Sequence, residues 1–163
     1  MNILQTIGQP DKEIEYLDRP TVKVVIKKDD KVLLLNDGLL PGGGIDAGES
    51  DNEAITRELQ EELGVTIEDT QEIGMIIQYR NFLEKKYVIR GYTATIKTTG
   101  GITSPQDKGE ASFVEQWFTL EDAIAHVTLS IKQAARKSMN DDTNQGKLYN
   151  LTTTLHLLKS LMK

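Results

Sequence analysis

The amino-acid sequence predicts an α/β protein in which a mixed sheet is sandwiched between helices. Short runs rich in β-branched residues and leucine alternate with segments of helical periodicity. The 163 residues include 38% hydrophobic residues, which is enough for one core without disulfide bonds. No repeat, low-complexity tract or linker divides the chain, so we predict one domain over residues 1–163.

The elements are predicted from local patterns along the chain. Residues 1–20 are mixed and polar, and we expect them to form an N-terminal arm or a short edge element. The first two strands flank a hairpin turn at Asp29-Asp30. The predicted strands span residues 21–28, 31–36, 72–80, 86–97 and 113–118. The predicted helices span residues 51–63, 120–126, 130–140 and 147–162.

The composition excludes several kinds of site. The chain has no cysteine, which excludes disulfide frameworks, thiolate zinc sites and cysteine nucleophiles, and which fits a reducing compartment. His126 and His156 lie far apart in the sequence, so a histidine-rich zinc site is not expected, and both are expected to be surface or packing residues. The 25 acidic residues favour hard cations bound through oxygen atoms.

The charge and hydropathy patterns narrow the range of partners that the chain is expected to have. A net charge of -6 argues against a nucleic-acid partner, because no basic stripe is present to neutralise a phosphate backbone. No apolar run reaches transmembrane length, and the first ten residues do not resemble a signal peptide. We therefore expect a cytoplasmic protein with no membrane partner and a small phosphorylated ligand, while a homodimer is left open.

The helix over residues 51–63 is the most clearly delimited element. Ser50 and Glu53 have the spacing of a capping box, and Gly64 stands where a C-terminal cap is expected. Three glutamates share one face of this helix, at spacings of three and four residues: Glu58, Glu61 and Glu62. A glutamate-rich helix face is most often simply solvated, so this pattern alone does not indicate a site.

Upstream residues stand in fixed register with these glutamates. Five residues separate Gly43 from Glu49, and seven more lead to the segment RELQEELGV at 57–65. The pattern resembles the Nudix box at every defined position over 23 residues, and residues 40–44 are similar to that family's lead-in. The resemblance implies an α/β/α sandwich with a mixed central sheet. It also implies an enzyme that hydrolyses a nucleoside diphosphate linked to another group.

The resemblance further implies a metal site on this helix. Glu58, Glu61 and Glu62 are expected to bind divalent cations, Mg²⁺ or Mn²⁺, and one of them to orient or deprotonate the attacking water. Hard cations prefer oxygen ligands. Such cations would neutralise a diphosphate and stabilise the charge of the transition state. This accounts for an acidic protein that acts on an anionic substrate.

The resemblance assigns roles to the loop before the helix as well. Arg57 and Glu49 are expected to pair with each other, which would fix the loop against the helix. The main-chain carbonyl of Gly42 is expected to complete the metal shell, and Gly42, Gly43 and Gly44 to contact the substrate. These glycines also fit a tight connection between a strand and a loop, and both interpretations can hold together.

One more glutamate outside the box is expected in many members of this family, as a metal ligand or as a base. Glu110 and Glu115 are the candidates. We prefer Glu110, because it lies in a polar loop where a mobile catalytic group is plausible, whereas Glu115 lies inside a predicted strand. A site that uses neither residue is left open.

The substrate is not determined by the box. A proline outside the box is associated with family members that act on ADP-ribose, and Tyr79 stands at that position here. The motifs of family members that act on NADH or coenzyme A are not found. The compact domain is similar to MutT-type enzymes, so a modified nucleoside triphosphate is the first expectation, with nucleotide sugars and ADP-ribose as alternatives. A non-catalytic nucleotide sensor is a further alternative. Five aromatic residues could stack a base but more often pack a core: Tyr79, Phe82, Tyr87, Tyr92 and Trp117.

Overall fold

The computed structural model describes residues 1–103, 113–137 and 142–162, except for the side chains at positions 142 and 143. The strands are β1 (Ile3–Ile7), β2 (Leu17–Lys28), β3 (Lys31–Leu35), β4 (Thr66–Arg80), β5 (Lys85–Thr98) and β6 (Glu115–Thr119). The helices are α1 (Asp51–Leu63), α2 (Leu120–Arg136) and α3 (Asp142–Ser160), and a 3₁₀ turn spans Asn81–Leu83. No helix in these ranges is both long and apolar enough to cross a membrane.

The six strands form one mixed sheet in the order β1-β4-β5-β2-β3-β6. The pairs β1–β4 and β2–β5 are parallel, and the pairs β4–β5, β2–β3 and β3–β6 are antiparallel. The hairpin predicted at Asp29-Asp30 is confirmed, because Lys28 pairs with Lys31 across it. Asp29 adopts a positive φ of 54°, which suits the tight turn and which aspartate tolerates better than most residues.

Helices cover both faces of this sheet. On one face, α1 buries Ala54, Ile55 and Leu59 against alternate residues of β2, β3 and β5. On the other face, Val127 of α2 and Leu151 of α3 belong to a second core cluster with residues from the same strands. The predicted fold class, an α/β/α sandwich around a mixed sheet, is therefore confirmed.

The N-terminal segment belongs to the sheet. Within residues 1–20, β1 pairs in parallel with β4 at the sheet edge. The predicted start of the next strand at residue 21 was wrong, since β2 already pairs with β5 from Leu17, which lies opposite Lys85. Polar residues could extend the strand because this first part of it is largely exposed.

The larger of the other differences from the prediction concern β4, α2 and α3. Strand β4 begins at Thr66 rather than at residue 72, and its register with β5 shifts at three places, which obscured the alternation. Helix α2 is continuous, whereas two helices were predicted. Its buried residues recur at spacings of four and three across the predicted break: Ala123, Val127, Ser130 and Ala134. Helix α3 begins at Asp142 rather than at residue 147.

Helix α1 has the predicted bounds because both of its ends are capped. The side chain of Ser50 accepts a hydrogen bond from the Glu53 amide, and the Glu53 carboxylate accepts one from the Ser50 amide at 2.8 Å. Gly64 ends the helix at φ 64°, where an added Cβ would overlap the Gly101 carbonyl. Asp51, in the first turn, also accepts hydrogen bonds from Arg90 and Tyr92 of β5. These contacts hold the glutamate-bearing helix in one place on the sheet.

Candidate active site

A pocket of about 880 Å³ lies between the glycine loop, helix α1 and the sheet. The residues predicted for the site that line it are Gly42, Gly43, Gly44, Arg57, Glu58, Glu61 and Glu62. The loop reaches this position because it is hydrogen-bonded along β2. The amide of Val22 donates to the Gly43 carbonyl at 2.9 Å, and the amide of Val24 donates to the Pro41 carbonyl at 3.0 Å. The fold thus brings the glycine loop and the glutamate face to one pocket.

Arg57 is the centre of the hydrogen-bond network in this pocket. Its Nε and Nη2 donate to the two carboxylate oxygens of Glu49, each at 2.8 Å, which is the expected pairing. Nη2 also donates to the Gly44 carbonyl at 2.9 Å, and Nη1 donates to Oε1 of Glu58 at 2.7 Å. A planar guanidinium can make these bonds simultaneously, which a lysine could not do. Arg57 therefore joins the loop to the helix.

The pairing of Arg57 with Glu49 is expected to make the stability of the fold depend on pH in the acid range. Hydrogen bonds from Arg57, and next from the Asp46 amide, lower the pKa of Glu49 from 4.5 to about 2. A lowered carboxyl pKa adds stability that is present above pH 4.5 and lost as the pH falls toward 2. We expect Glu49→Gln to be less stable than the parent chain by about 1 kcal/mol at pH 7, since solvent reaches the pair. Chemical denaturation between pH 7 and 2 should show this difference shrinking as the pH falls. A difference that stays constant would contradict the prediction.

Glu58 is the most deeply buried of the three glutamates, at 8% exposure. Burial raises its pKa, although the hydrogen bond and charge of Arg57 act in the opposite direction. Its carboxylate lies directly against the loop: a Cβ added to Gly43 would stand 2.5 Å from Oε1 and 2.6 Å from Oε2. Glycine at position 43 therefore leaves the space that the Glu58 carboxylate occupies.

A hydrogen bond from the main chain of Gly42 to the side chain of Glu62 holds these two residues together. The Gly42 amide donates to Oε2 of Glu62 at 2.8 Å. Gly42 has a φ of 116°, and an added Cβ would overlap the Val22 carbonyl, so only glycine fits without strain. The Gly42 carbonyl, which was expected to face a metal, accepts a hydrogen bond from the ammonium of Lys23. Lys23 also donates to the Leu40 carbonyl at 3.0 Å.

The donor set of the pocket suits a hard divalent cation. Glu58, Glu61 and Glu62 supply carboxylate oxygens, the ligands that Mg²⁺ and Mn²⁺ prefer. Within the described ranges, however, no three acidic or histidine side chains converge closely enough to chelate one ion. Glu58 and Glu62 are directed instead toward Arg57 and Gly42. The residue types fit the metal, and the role of each glutamate as a ligand stays a prediction.

The pocket residues that were missed in the sequence include Arg19, Lys23, Arg80 and Asn150. Lys23 had a recognisable signal, because it is a lone charge inside the buried run from Val22 to Ile26. Arg80 is a charge at the end of a strand, and Asn150 stands next to Leu151, a buried residue of α3. Nothing local marks these two residues as neighbours, since they lie on different elements and meet only in the folded chain.

The other residues predicted for the site are two glutamates outside the box and five aromatic residues. Glu110 lies outside the described residues, so the choice between it and Glu115 stays a prediction. Glu115 pairs with Leu35 at the start of β6, is exposed, and does not line the pocket. Tyr87 lines the pocket, and Phe82 lines the adjoining one. The remaining aromatic candidates pack elsewhere or are partly exposed: Tyr79, Tyr92 and Trp117.

The two histidines take no part in the pocket. His126 stacks on the Phe118 ring at a centroid distance of 4.8 Å. His156 lies half-buried on α3, where burial lowers its pKa. Both are packing residues, as expected from the sequence.

Comparison with known proteins places this chain in a family. The family model described as NUDIX domain matches residues 17–141. No curated protein matches the chain in amino-acid sequence. A MutT NUDIX hydrolase from Burkholderia pseudomallei is similar in structure, with a TM-score of 0.53 and 23% identity over 64% of this chain and 85% of that one. A NUDIX hydrolase from Nitrosomonas europaea has a TM-score of 0.57 and 21% identity over 86% and 89%.

A third similar structure is a UDP-X diphosphatase, with a TM-score of 0.51 and 21% identity over 66% of this chain and 53% of that one. At these identities the solved structures establish a shared fold. The family model establishes more, because it spans most of the chain, including the glycine loop and all of α1. The chain therefore belongs to the NUDIX domain family of pyrophosphohydrolases.

Proposed function

We propose that this protein hydrolyses a nucleoside diphosphate linked to another group, with a modified nucleoside triphosphate as the first candidate substrate. The observation that carries the proposal is the Arg57 network. It ties Glu49 and the Gly44 carbonyl of the loop to Glu58 of the helix within one pocket. This arrangement preorganises carboxylates at the place where a diphosphate and its cation would lie.

The pocket also carries positive charge for a polyanionic substrate. Four cationic side chains line it, against four acidic ones: Arg19, Lys23, Arg57 and Arg80 against Asp46, Glu58, Glu61 and Glu62. The pocket is thus close to neutral in a chain of net charge -6. A divalent cation on the glutamates would make it attractive to phosphate groups.

The three glutamates differ in how firmly they are held, which suggests different roles. Glu58 and Glu62 accept the hydrogen bonds described above. Glu61 makes no hydrogen bond within the described part of the chain, and its nearest cation is Nη1 of Arg57 at 3.7 Å. A carboxylate without a hydrogen-bond donor from the described residues can accept a hydrogen bond from a water molecule. We therefore assign to Glu61 the acceptance of a proton from the attacking water, and to Glu58 and Glu62 the holding of the cation.

A bound Mg²⁺ or Mn²⁺ would neutralise the diphosphate and stabilise the charge on its oxygens. Water attacks one phosphorus of the anhydride, the bridging P–O bond breaks, and the leaving oxygen carries away the electron pair. Glu61 takes the proton that the water loses. The products are a nucleoside monophosphate and either diphosphate or a phosphorylated partner.

A cytoplasmic location is proposed from the absence of cysteine.

Turnover assays on the purified chain test the proposal. The substrates are nucleoside triphosphates with normal and oxidised bases, ADP-ribose, nucleotide sugars, dinucleoside polyphosphates and NADH, each with Mg²⁺, Mn²⁺ or a chelator. Cation-dependent release of a nucleoside monophosphate from one class supports a hydrolase and identifies the substrate. Tight binding of one nucleotide without turnover in any assay would overturn the hydrolase in favour of a nucleotide sensor.

A further inference from the structure

Arg80 is a buried cation next to the proposed catalytic pocket. It is the last residue of β4 and only 9% exposed. Its Nε and Nη2 donate to Oε1 of Gln78 at 3.0 and 2.7 Å, and Nη2 also donates to Oδ1 of Asn150 at 2.7 Å. The guanidinium carbon lies 4.2 Å from the centre of the Tyr87 ring. These contacts fix the guanidinium in one orientation between the sheet and α3.

None of these contacts neutralises the charge of Arg80. Both hydrogen-bond acceptors are neutral amides, and no carboxylate within the described ranges forms an ion pair with Arg80. A buried charge without a counter-charge is costly, and proteins avoid it unless a partner is supplied. The neighbouring Lys147 does not change this balance, because it is paired with Asp37.

The remaining part of the guanidinium faces a second pocket. Nη1 makes no hydrogen bond to any described residue, and Arg80 lines a pocket of about 570 Å³. Gly146 of α3 also lines this pocket, and a Cβ added there would lie 3.4 Å from Nη1. This pocket adjoins the catalytic one, because four residues line both: Asn36, Leu39, Arg80 and Asn150.

We propose that Arg80 binds an anionic group, a phosphate or a carboxylate, on the part of the substrate remote from the anhydride bond that is cleaved. The substrate class is then a nucleoside diphosphate derivative that carries a further negative charge outside its diphosphate. The proposal rests on the proposed function, because a substrate seated at Glu58, Glu61 and Glu62 defines which part is remote. The fixed guanidinium leaves Nη1 free for one charge-assisted hydrogen bond.

Matched pairs of substrates test the proposal. UDP-glucuronate and UDP-glucose differ by one carboxylate, and NADPH and NADH differ by one phosphate. We expect the parent chain to have a higher kcat/KM for the charged member of one pair, by about 10-fold or more, since a charge-assisted hydrogen bond is at stake. The pair that responds identifies the anion. Arg80→Gln should abolish the preference through KM. The control Arg136→Gln removes the same charge from the exposed surface of α2 and should keep the preference.

A second variant keeps the test valid if Arg80→Gln folds poorly. Gly146→Ala leaves Arg80 in place and puts a methyl group beside Nη1, while alanine in place of glycine favours the helix. We expect it to melt at the same or a higher temperature and to lose most of the preference for the charged substrate. Equal losses for both members of a pair in Arg80→Gln, or no preference in the parent chain, would overturn the proposal.

A binding measurement separates this proposal from the proposed function. Inorganic phosphate, titrated in the presence of a chelator, should raise the melting temperature of the parent chain and of Arg136→Gln more than that of Arg80→Gln. This result together with no turnover of any substrate would contradict the hydrolase and support an anion site at Arg80. Turnover with no preference for a charged substrate, and equal phosphate effects in all three chains, would contradict the anion site alone.

Discussion

Replacement of Glu61 by glutamine is expected to lower kcat by about 1,000-fold, within the range that a positioned proton acceptor contributes. The side chain keeps its shape but loses the charge that could accept a proton from water. Glu61 is only 17% exposed, yet it makes no hydrogen bond within the described part of the chain. Its loss should therefore leave the folded structure intact. The melting temperature is expected to change by no more than a few degrees.

The measurement is steady-state hydrolysis of the best substrate at saturating Mg²⁺ or Mn²⁺, with circular dichroism as the check on folding. Glu72→Gln is a matched control, because Glu72 is an exposed glutamate of β4 outside the pocket. It should retain full turnover. Glu62→Gln should also lose activity, with part of the loss due to a weaker hydrogen bond from the Gly42 amide. Unchanged turnover in both Glu61→Gln and Glu62→Gln would refute a catalytic role for this helix face.

Replacement of Gly43 by alanine is the second change with a large expected effect. The new methyl group would overlap the carboxylate of Glu58, so that carboxylate must rotate or shift. Misplacement of a catalytic group by about 1 Å can lower activity by about 100-fold, and we expect a loss of that size in kcat/KM. The effect on stability should be small, because φ at position 43 is not positive and the atoms displaced are at the end of a side chain.

A second glycine of the same loop provides the control. Gly48 has a φ of 83°, but nothing lies within 4 Å of its added Cβ. Gly48→Ala should therefore cost about 1 kcal/mol of stability, from backbone strain alone, while turnover is retained. Urea unfolding and hydrolysis assays on both variants test whether the space at Gly43 serves Glu58. If it does, Gly43→Ala should lose activity and keep its stability, whereas Gly48→Ala should lose stability and keep its activity. Full activity in Gly43→Ala would contradict this explanation.

Short-range patterns were sufficient for much of this fold. The bounds of α1 were predicted correctly, because the capping box at Ser50 and the glycine at position 64 act within a few residues. The hairpin at Asp29-Asp30 and most strand positions were predicted for the same reason. Errors arose where long-range pairing overrides local preference, as at Leu17, which extends β2 because Lys85 of β5 lies beside it.

For the candidate site, the sequence alone determined the residue types and their spacing. The spacing of Gly43, Glu49 and RELQEELGV identified the family. The helical repeat places Glu58, Glu61 and Glu62 on one face of α1 whatever surrounds the helix. Only the tertiary structure decided how those side chains are held. Arg57 bonds to both Glu49 and Glu58, and the ammonium of Lys23 bonds to the Gly42 carbonyl.

The sequence did not indicate the second pocket, which is formed entirely by the tertiary structure. Arg80 and Asn150 are 70 residues apart in the chain, and no local pattern relates them. They meet because α3 packs across the sheet face on which β4 ends. There the guanidinium is removed from water, and no carboxylate of the described residues forms an ion pair with it. Spacing within one helix is a property of the sequence, whereas burial of a charge depends on what the rest of the chain places around it.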